Sequence, residues 1–413
     1  MKTFHELYLE ILAAEADKGR TRPKDFDPYQ MDCLLHPENY APVVPTQNCK
    51  DCAFERACEK SCVFDAICVK EDGSVLIDAK KCAGCGVCID SCKLEHLAAN
   101  RDVLPVLRAL REGKREVYAM IAPAFVGQFE KDVTPGRLRA AFKALGFTGM
   151  VEVAVFADIL TLKEALEFDR HINNEKDFQL TSCCCPVWIA MIRKVYKELL
   201  PHVPGAVSPM IAAGRVIKKI HPDAMTVFIG PCMAKKKEAR EPDIADAVDY
   251  VLTFQEVLEI FEAAEIHPKE LPEDEKEHSS RAGRIYARTG GVSEAVSRTV
   301  EQLNPDRKIG VRAEQADGVP ACRALIARIQ NGETDANFFE GMGCNGGCVG
   351  GPKAVIDRER GREYVNAYGE EAAYRTPLEN PYVMELLARL GFLSVEDFLE
   401  NSDLFARDFT WEF

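Results

Sequence analysis

A chain of 413 residues, 47% hydrophobic and 29% charged, has the make-up of a soluble globular protein and is too long for one ordinary core. The net charge of −14 argues against nucleic acid and against an anionic membrane surface as partners, because both select a basic face. Seventeen cysteines in so long a chain are not the disulfide scaffold of a small secreted domain, and they point to metal ligands in a reducing cytoplasm.

In chain order, residues 2–18 place Phe4, Leu7, Leu9, Ile11 and Leu12 among charges and predict an amphipathic helix. The same opening lacks the apolar core of a secretory leader, and no stretch approaches the roughly 20 apolar residues of a membrane span, so a cytoplasmic protein is expected. Residues 20–48 are rich in Pro, Asp and Asn and predict an extended lead-in, which sets 1–48 apart as an N-terminal segment.

Residues 49–100 are expected to form a small domain of their own. Cys82, Cys85, Cys88 and Cys92 follow C-x2-C-x2-C-x3-C, the bacterial ferredoxin run, in which the fourth cysteine crosses to the other cluster. Cys49, Cys52, Cys58 and Cys62 form a second run with a widened middle gap. By the crossed pattern, one [4Fe–4S] cluster takes Cys49, Cys52, Cys58 and Cys92, and another takes Cys62, Cys82, Cys85 and Cys88. A structural zinc site also uses C-x2-C pairs, but two interleaved sets of four favour clusters. Cys68 and Cys322 are expected to be small buried residues. Cys33, near His36, is read as a free cysteine or a further ligand.

From 101 to 413 the character changes. Apolar runs at 117–123, 150–155 and 225–229 predict strands, and 134–145 predicts a helix, so α/β layers are expected. The tail from about 356 carries helical periodicity. Three short loops carry the chemistry: Thr181-Ser182-Cys183-Cys184-Cys185-Pro186, Pro231-Cys232-Met233-Ala234-Lys235, and Met342 to Gly351 with Cys344 and Cys348. Thiolates are the soft ligands of iron–sulfur clusters, and glycines let a backbone approach a bulky group.

These loops resemble the signature of the [FeFe] hydrogenases. TSCCCPVW is similar to the family's T-S-C-C-P-x-W with one extra cysteine. Pro231, Cys232, Lys235 and Glu238 match P-C-x-x-K-x-x-E. Glu340, Met342, Cys344, Gly346, Gly347, Cys348 and Gly351 match E-x-M-x-C-x-G-G-C-x-x-G. Ala122-Pro123-Ala124, Ser208-Pro209 and Thr289-Gly290-Gly291-Val292 also match, so the resemblance runs from about residue 49 to the C-terminal region, and the first motif looks like that of a divergent subgroup. It implies an α/β two-lobed catalytic domain enclosing the H-cluster, preceded by a small α+β ferredoxin-like domain. The activity implied is reversible reduction of protons to H2, with electrons from a redox partner such as ferredoxin and a cofactor installed by maturation proteins.

The resemblance assigns roles by position. Cys185, Cys232, Cys344 and Cys348 would hold the [4Fe–4S] part of the H-cluster, with Cys348 also bridging to a diiron subcluster that carries CO, cyanide and an azadithiolate. Lys235 and Ser208 would donate to the cyanides, Ala122 and Pro123 would line the pocket, and Met342 would pack against the diiron unit. Cys184 would carry protons, passing them to Glu164 and Glu167, which share a helix face three residues apart. Without the resemblance, those two carboxylates would equally suit an exposed charged face.

Some positions depart from the family. Pro204 falls where a relay serine is expected and has no side-chain donor. Arg170 or His171 stands where a surface arginine would end the relay. Gly230 replaces a methionine, which is expected to loosen the pocket. Cys183 has no family counterpart: it either packs, or lets the loop shift so that Cys184 covers an open iron site reversibly. Three rival readings are a hydrogen sensor of the same family, a non-catalytic iron–sulfur scaffold protein of hydrogenase ancestry, and a simple electron carrier. The last leaves most of the chain after residue 100 without a purpose.

Overall fold

In the computed structural model, residues 2–16, 23–49, 52, 54–181, 184–274, 276 and 278–409 are described. The N-terminal part holds four short strands, β1 (Val43–Pro45), β2 (Ile67–Val69), β3 (Val75–Ile77) and β4 (Leu97–Ala99). β2 and β3 form an antiparallel hairpin, and β1 pairs antiparallel with β4, with Val43 opposite Ala99. One-turn helices at Ala57–Lys60 and Val87–Ser91 each carry a cysteine, Cys58 and Cys88.

The lead-in is not simply extended. Pro28–Leu35 is a helix, and the Asp27 side chain accepts from the Gln30 N–H at 3.0 Å. Pro28 sits at the first helical position, where its missing N–H costs nothing. The Asp-Pro pair was a helix start rather than a break. The first helix spans Phe4–Ala16 and buries Phe4, Leu7, Tyr8, Ile11 and Leu12.

The remainder builds two parallel sheets. β5 (Val117–Ile121), β6 (Gly149–Glu152), β8 (Met225–Gly230) and β9 (Tyr250–Thr253) form one in the order β6-β5-β8-β9. All six residues of β8 are buried, as expected of a strand covered on both faces, and so its sequence shows no alternation. β7 (Gln179–Leu180), β10 (Ala313–Asp317) and β11 (Phe338–Met342) form the second, ordered β10-β11-β7. The expected strand at 150–155 stops at Glu152. The Val153 N–H still reaches the Ile121 carbonyl, and then Ala154–His171 turns into a helix of 18 residues. This helix packs against the helix Gly291–Leu303. The tail is helical at Arg358–Glu370, Pro381–Arg389 and Val395–Glu400. Among the described residues no helix is long and apolar enough to cross a membrane.

Cys322 is buried, with its Sγ 3.3 Å from the Met342 carbonyl oxygen. Cys68 is not buried as expected. On β2 the alternation turns Ile67 and Val69 inward and leaves Cys68 exposed.

Candidate functional site

All the motif loops leave the carboxyl ends of parallel strands. Ala122-Pro123 follows β5, Cys184-Cys185 follows β7, Pro231-Cys232 follows β8 and Gly343-Cys344 follows β11. In parallel α/β layers that end of a sheet is where chain crossings open a crevice. Two sheets therefore present four loops to one volume, although the loops span more than 200 residues of sequence.

Close backbone approaches hold the loops together. Cys185 precedes the helix Pro186–Lys194, and its Sγ accepts from the Gly343 N–H at 3.2 Å. Trp188, on that helix, is fully buried, and a Cβ on Gly341 would overlap its ring. A Cβ on Gly351 would stand 2.8 Å from the Pro231 carbonyl oxygen, which also accepts from the Lys353 N–H. The Glu340 carboxylate, fully buried, accepts from the Gly290 and Ser293 N–H groups at 2.8 Å each and from the Ser293 hydroxyl at 2.7 Å. That clamp explains why the third motif opens with glutamate and why Thr289 to Val292 accompanies it.

The four cysteines of the three loops feel one another. Burial, then Cys185, pushes the Cys232 thiol up to about 11. Burial, then Cys232 and Cys185, pushes Cys348 up to about 12, while Lys235 pulls it down. Cys344 is driven well above the usual thiol range by burial, then by Cys232, Cys185 and Cys348. Such crowded thiols give up their protons together only to a strong local positive charge, which is what iron provides. Lys235 is buried, and its Nζ donates to Glu238 Oε2 at 2.6 Å. Burial alone would lower the Lys235 ammonium; Glu238, then Cys232 and Cys348, outweigh it and raise it.

The N-terminal cysteines also lie close enough to feel one another. Cys49 is raised by burial, then by Cys92, Cys58 and Cys52. Cys82 is pushed up to about 11 by burial, with Cys85 and Cys62 adding to it, and Cys88 is raised by burial, then Cys85, Cys82 and Cys62. The Cys88 thiol also feels Cys58 of the other run, so the two cysteine runs interleave. Cys344 also feels Cys85, so the two regions of the chain meet at their cysteines. The Lys194 ammonium fastens the contact, donating to the carbonyls of Lys80 at 2.7 Å and Lys81 at 3.0 Å.

The family described as iron only hydrogenase large subunit, C-terminal domain, matches residues 115–352, more than half of the chain. The chain belongs to the iron-only hydrogenase family. It is 27% identical over 364 residues to the NADP-reducing hydrogenase subunit HndD of Solidesulfovibrio fructosivorans, covering 74% of this chain and 62% of that protein. It is 28% identical over 294 residues to iron hydrogenase 1 of Clostridium pasteurianum, covering 60% of this chain and 51% of that one. The chain thus spans roughly half to three-fifths of the length of these two relatives. It is also 24% identical, over half of its length, to the cytosolic Fe-S cluster assembly factor NAR1 homolog of Schizosaccharomyces japonicus. The fold matches a solved [FeFe]-hydrogenase, HydA(deltaEFG), with a TM-score of 0.60 over 73% of this chain and 98% of that one, at 25% identity.

In this hydrogenase-family protein the other motif residues line up as follows. Ser208 is buried and caps the helix Pro209–Ile220, accepting from the Ile211 N–H at 3.4 Å. Met342, 1% exposed, ends β11, and its carbonyl accepts from the Gly318 N–H. The Ala122 N–H donates to the Ile229 carbonyl, which sets Ala122 beside Gly230. Gly230 does not loosen the pocket as expected. A Cβ there would lie 2.8 Å from the Phe228 ring and 3.0 Å from Ala122 Cβ, so Phe228 already fills the space.

Cys184 is half-buried, and Cys183 and Ser182 lie outside the described residues. Glu164 is 2% exposed, so it does not lie on an open charged face. Glu167, one turn on, lies 3.1 Å from His171 Nδ1 and 3.8 Å from Lys163 Nζ. Arg170 and His171 are both exposed, and the 3.1 Å contact makes His171 the one that meets Glu167 at the surface. Met233 was missed as anything but motif filler, and the spacing gave no signal for it.

Proposed function

We propose that this chain is an [FeFe] hydrogenase catalysing 2H⁺ + 2e⁻ ⇌ H2. The observation that carries the reading is the convergence of Cys185, Cys232, Cys344 and Cys348 at the carboxyl ends of two parallel sheets, with the buried Lys235–Glu238 pair beside them. Those cysteines would hold the [4Fe–4S] part of an H-cluster, with Cys348 shared with its diiron unit. Bound there, the cofactor would supply the iron at which protons and electrons combine.

The chain's own residues do the rest. Lys235 spends one N–H on Glu238 and keeps two more to orient a cyanide. The Ser208 oxygen caps a helix, leaving its hydroxyl proton for the other cyanide. Ala122, Pro123 and Met342 exclude water from the pocket. The Cys184 thiol, next to a ligand but not one itself, exchanges a proton with bound substrate. Glu164 and Glu167 lead away along one helix face, and His171 meets Glu167 at the surface. Cys49, Cys52, Cys58 and Cys92, and Cys62, Cys82, Cys85 and Cys88, would hold two [4Fe–4S] clusters, which would supply a path for electrons from a ferredoxin-like partner. Maturation proteins deliver the diiron unit.

Likeness to the assembly factor NAR1 homolog favours a second reading, a non-catalytic iron–sulfur protein. Retention of Cys184, Lys235 and Cys348 together supports the hydrogenase. Infrared spectroscopy of matured protein under H2, then CO, separates the two: the hydrogenase gives CO and cyanide bands that shift with gas, and their absence after competent maturation refutes it.

A further inference from the structure

One short segment stands between the cysteine groups. Cys232, at the end of β8, is followed by Met233 and Ala234. Met233 is 1% exposed, yet its side chain does not enter the catalytic core. It packs in the small core of the N-terminal unit with Cys58 and Cys88, against which Cys62 and Cys92 also lie. Those four residues come from both N-terminal cysteine groups. Ala234 packs the other way, in a core containing Cys82 and Cys185. The seam is tight: a Cβ on Gly84 would lie 3.0 Å from Ala234 Cα and 3.2 Å from the Met233 carbonyl oxygen. A Cβ on Gly86 would lie 3.6 Å from Met233 Sδ, so the thioether sits over the loop joining Cys85 and Cys88.

We propose that Met233 is a positioning residue that couples the cluster sites electronically, by spanning from the backbone of Cys232 to the cysteine loops of the N-terminal unit. This rests on reading those cysteines as cluster ligands. The transfer it serves is simple. One electron leaves the reduced cluster of Cys62, Cys82, Cys85 and Cys88, which is oxidised, and the cluster of Cys185, Cys232, Cys344 and Cys348 is reduced by one. No bond breaks and no proton moves. A side chain at this point matters because it replaces a gap with packed atoms, and a flexible, polarizable thioether fits an irregular gap well. Pro352, beside the third motif, comes as close to the Gly86 position, at 3.6 Å, while Ala234 is too short to cross, so Met233 is the residue of the second motif that does.

The test uses full-length protein made without maturation proteins, so that only [4Fe–4S] clusters are present and turnover plays no part. Dithionite reduction is followed by freeze-quench electron paramagnetic resonance, with iron content measured in parallel. Met233→Ala is expected to leave reduction of the two N-terminal clusters unchanged and to slow arrival of the electron at the third severalfold. Met233→Leu, which keeps the volume, is expected to stay near the wild-type rate. An iron-replete Met233→Ala protein with a wild-type rate at the third cluster overturns the proposal. If that variant loses iron, Met233→Val is measured instead, and a wild-type rate there overturns it equally. A wild-type protein that binds no third cluster overturns the ligand reading itself, a different failure visible in the iron count.

Discussion

Replacing Glu238 by glutamine removes the partner of a buried charge while keeping the shape of the side chain. The Lys235 and Glu238 side chains are 8% and 4% exposed, and their charged atoms are 2.6 Å apart. At an effective dielectric constant near 20, that separation corresponds to about 6 kcal/mol of attraction, set against several kcal/mol of lost hydration for each ion. Removing one partner leaves the other buried and uncompensated, so Glu238→Gln should cost about 3–5 kcal/mol. The pH dependence has a definite sign. In the wild type Glu238 raises Lys235, so the stability from the pair is fully present below the ordinary lysine range and is lost only as pH rises through the higher folded value. In the variant, burial is opposed only by the nearby thiols and the ammonium falls, so the deficit is largest near neutral pH and shrinks as pH climbs toward the ordinary lysine value of about 10.4. Guanidinium unfolding of cluster-free protein, read by circular dichroism at neutral pH and near pH 9.5, measures it. An unchanged midpoint at neutral pH, or a deficit that grows with pH, would refute the reasoning.

Gly341→Ala places a methyl group into the Trp188 ring, and overpacking of this kind costs about 1–3 kcal/mol or more. A lowered thermal midpoint together with lost iron is expected, because Trp188 locks the first loop to the third. Cys184→Ala should abolish most H2 turnover while leaving iron content unchanged; equal loss of both would make Cys184 a ligand instead. His96 Nδ1 lies 3.4 Å from Cys49 Sγ, and hydrogen bonds to cluster sulfurs favour the reduced, more negative state. His96→Leu should therefore shift one [4Fe–4S] midpoint to a more negative potential in a redox titration at fixed pH, with the others unmoved; no shift would remove His96 from that role.

Much of the site was legible because ligand chemistry is local. The C-x2-C spacings marked Cys49 with Cys52 and Cys82 with Cys85 as candidate ligands of one body, since residues three apart on a tight turn can face the same point. The strands were readable from continuous apolar runs such as Met225–Ile229. Misreadings came where a neighbour decided the outcome. Pro28 reads as punctuation in a Pro-rich stretch, but the Asp27 cap makes it a helix start. Gly230 suggested free space, but the Phe228 ring occupies it. Cys68 was placed inside by residue type, while strand alternation puts it out.

Residue identity and spacing pointed to soft ligands and to α/β layering, and the family resemblance singled out a lysine and a thiol suited to the cofactor. Which lobe each loop leaves, that Lys235 is answered by Glu238, that Glu167 meets His171, and that Met233 turns away from its own lobe were decided only by the fold. Spacing can order ligands within one loop because a few backbone dihedrals set their positions. It cannot rank contacts between residues 50 or 200 positions apart, because those depend on which buried surfaces close first around the whole core.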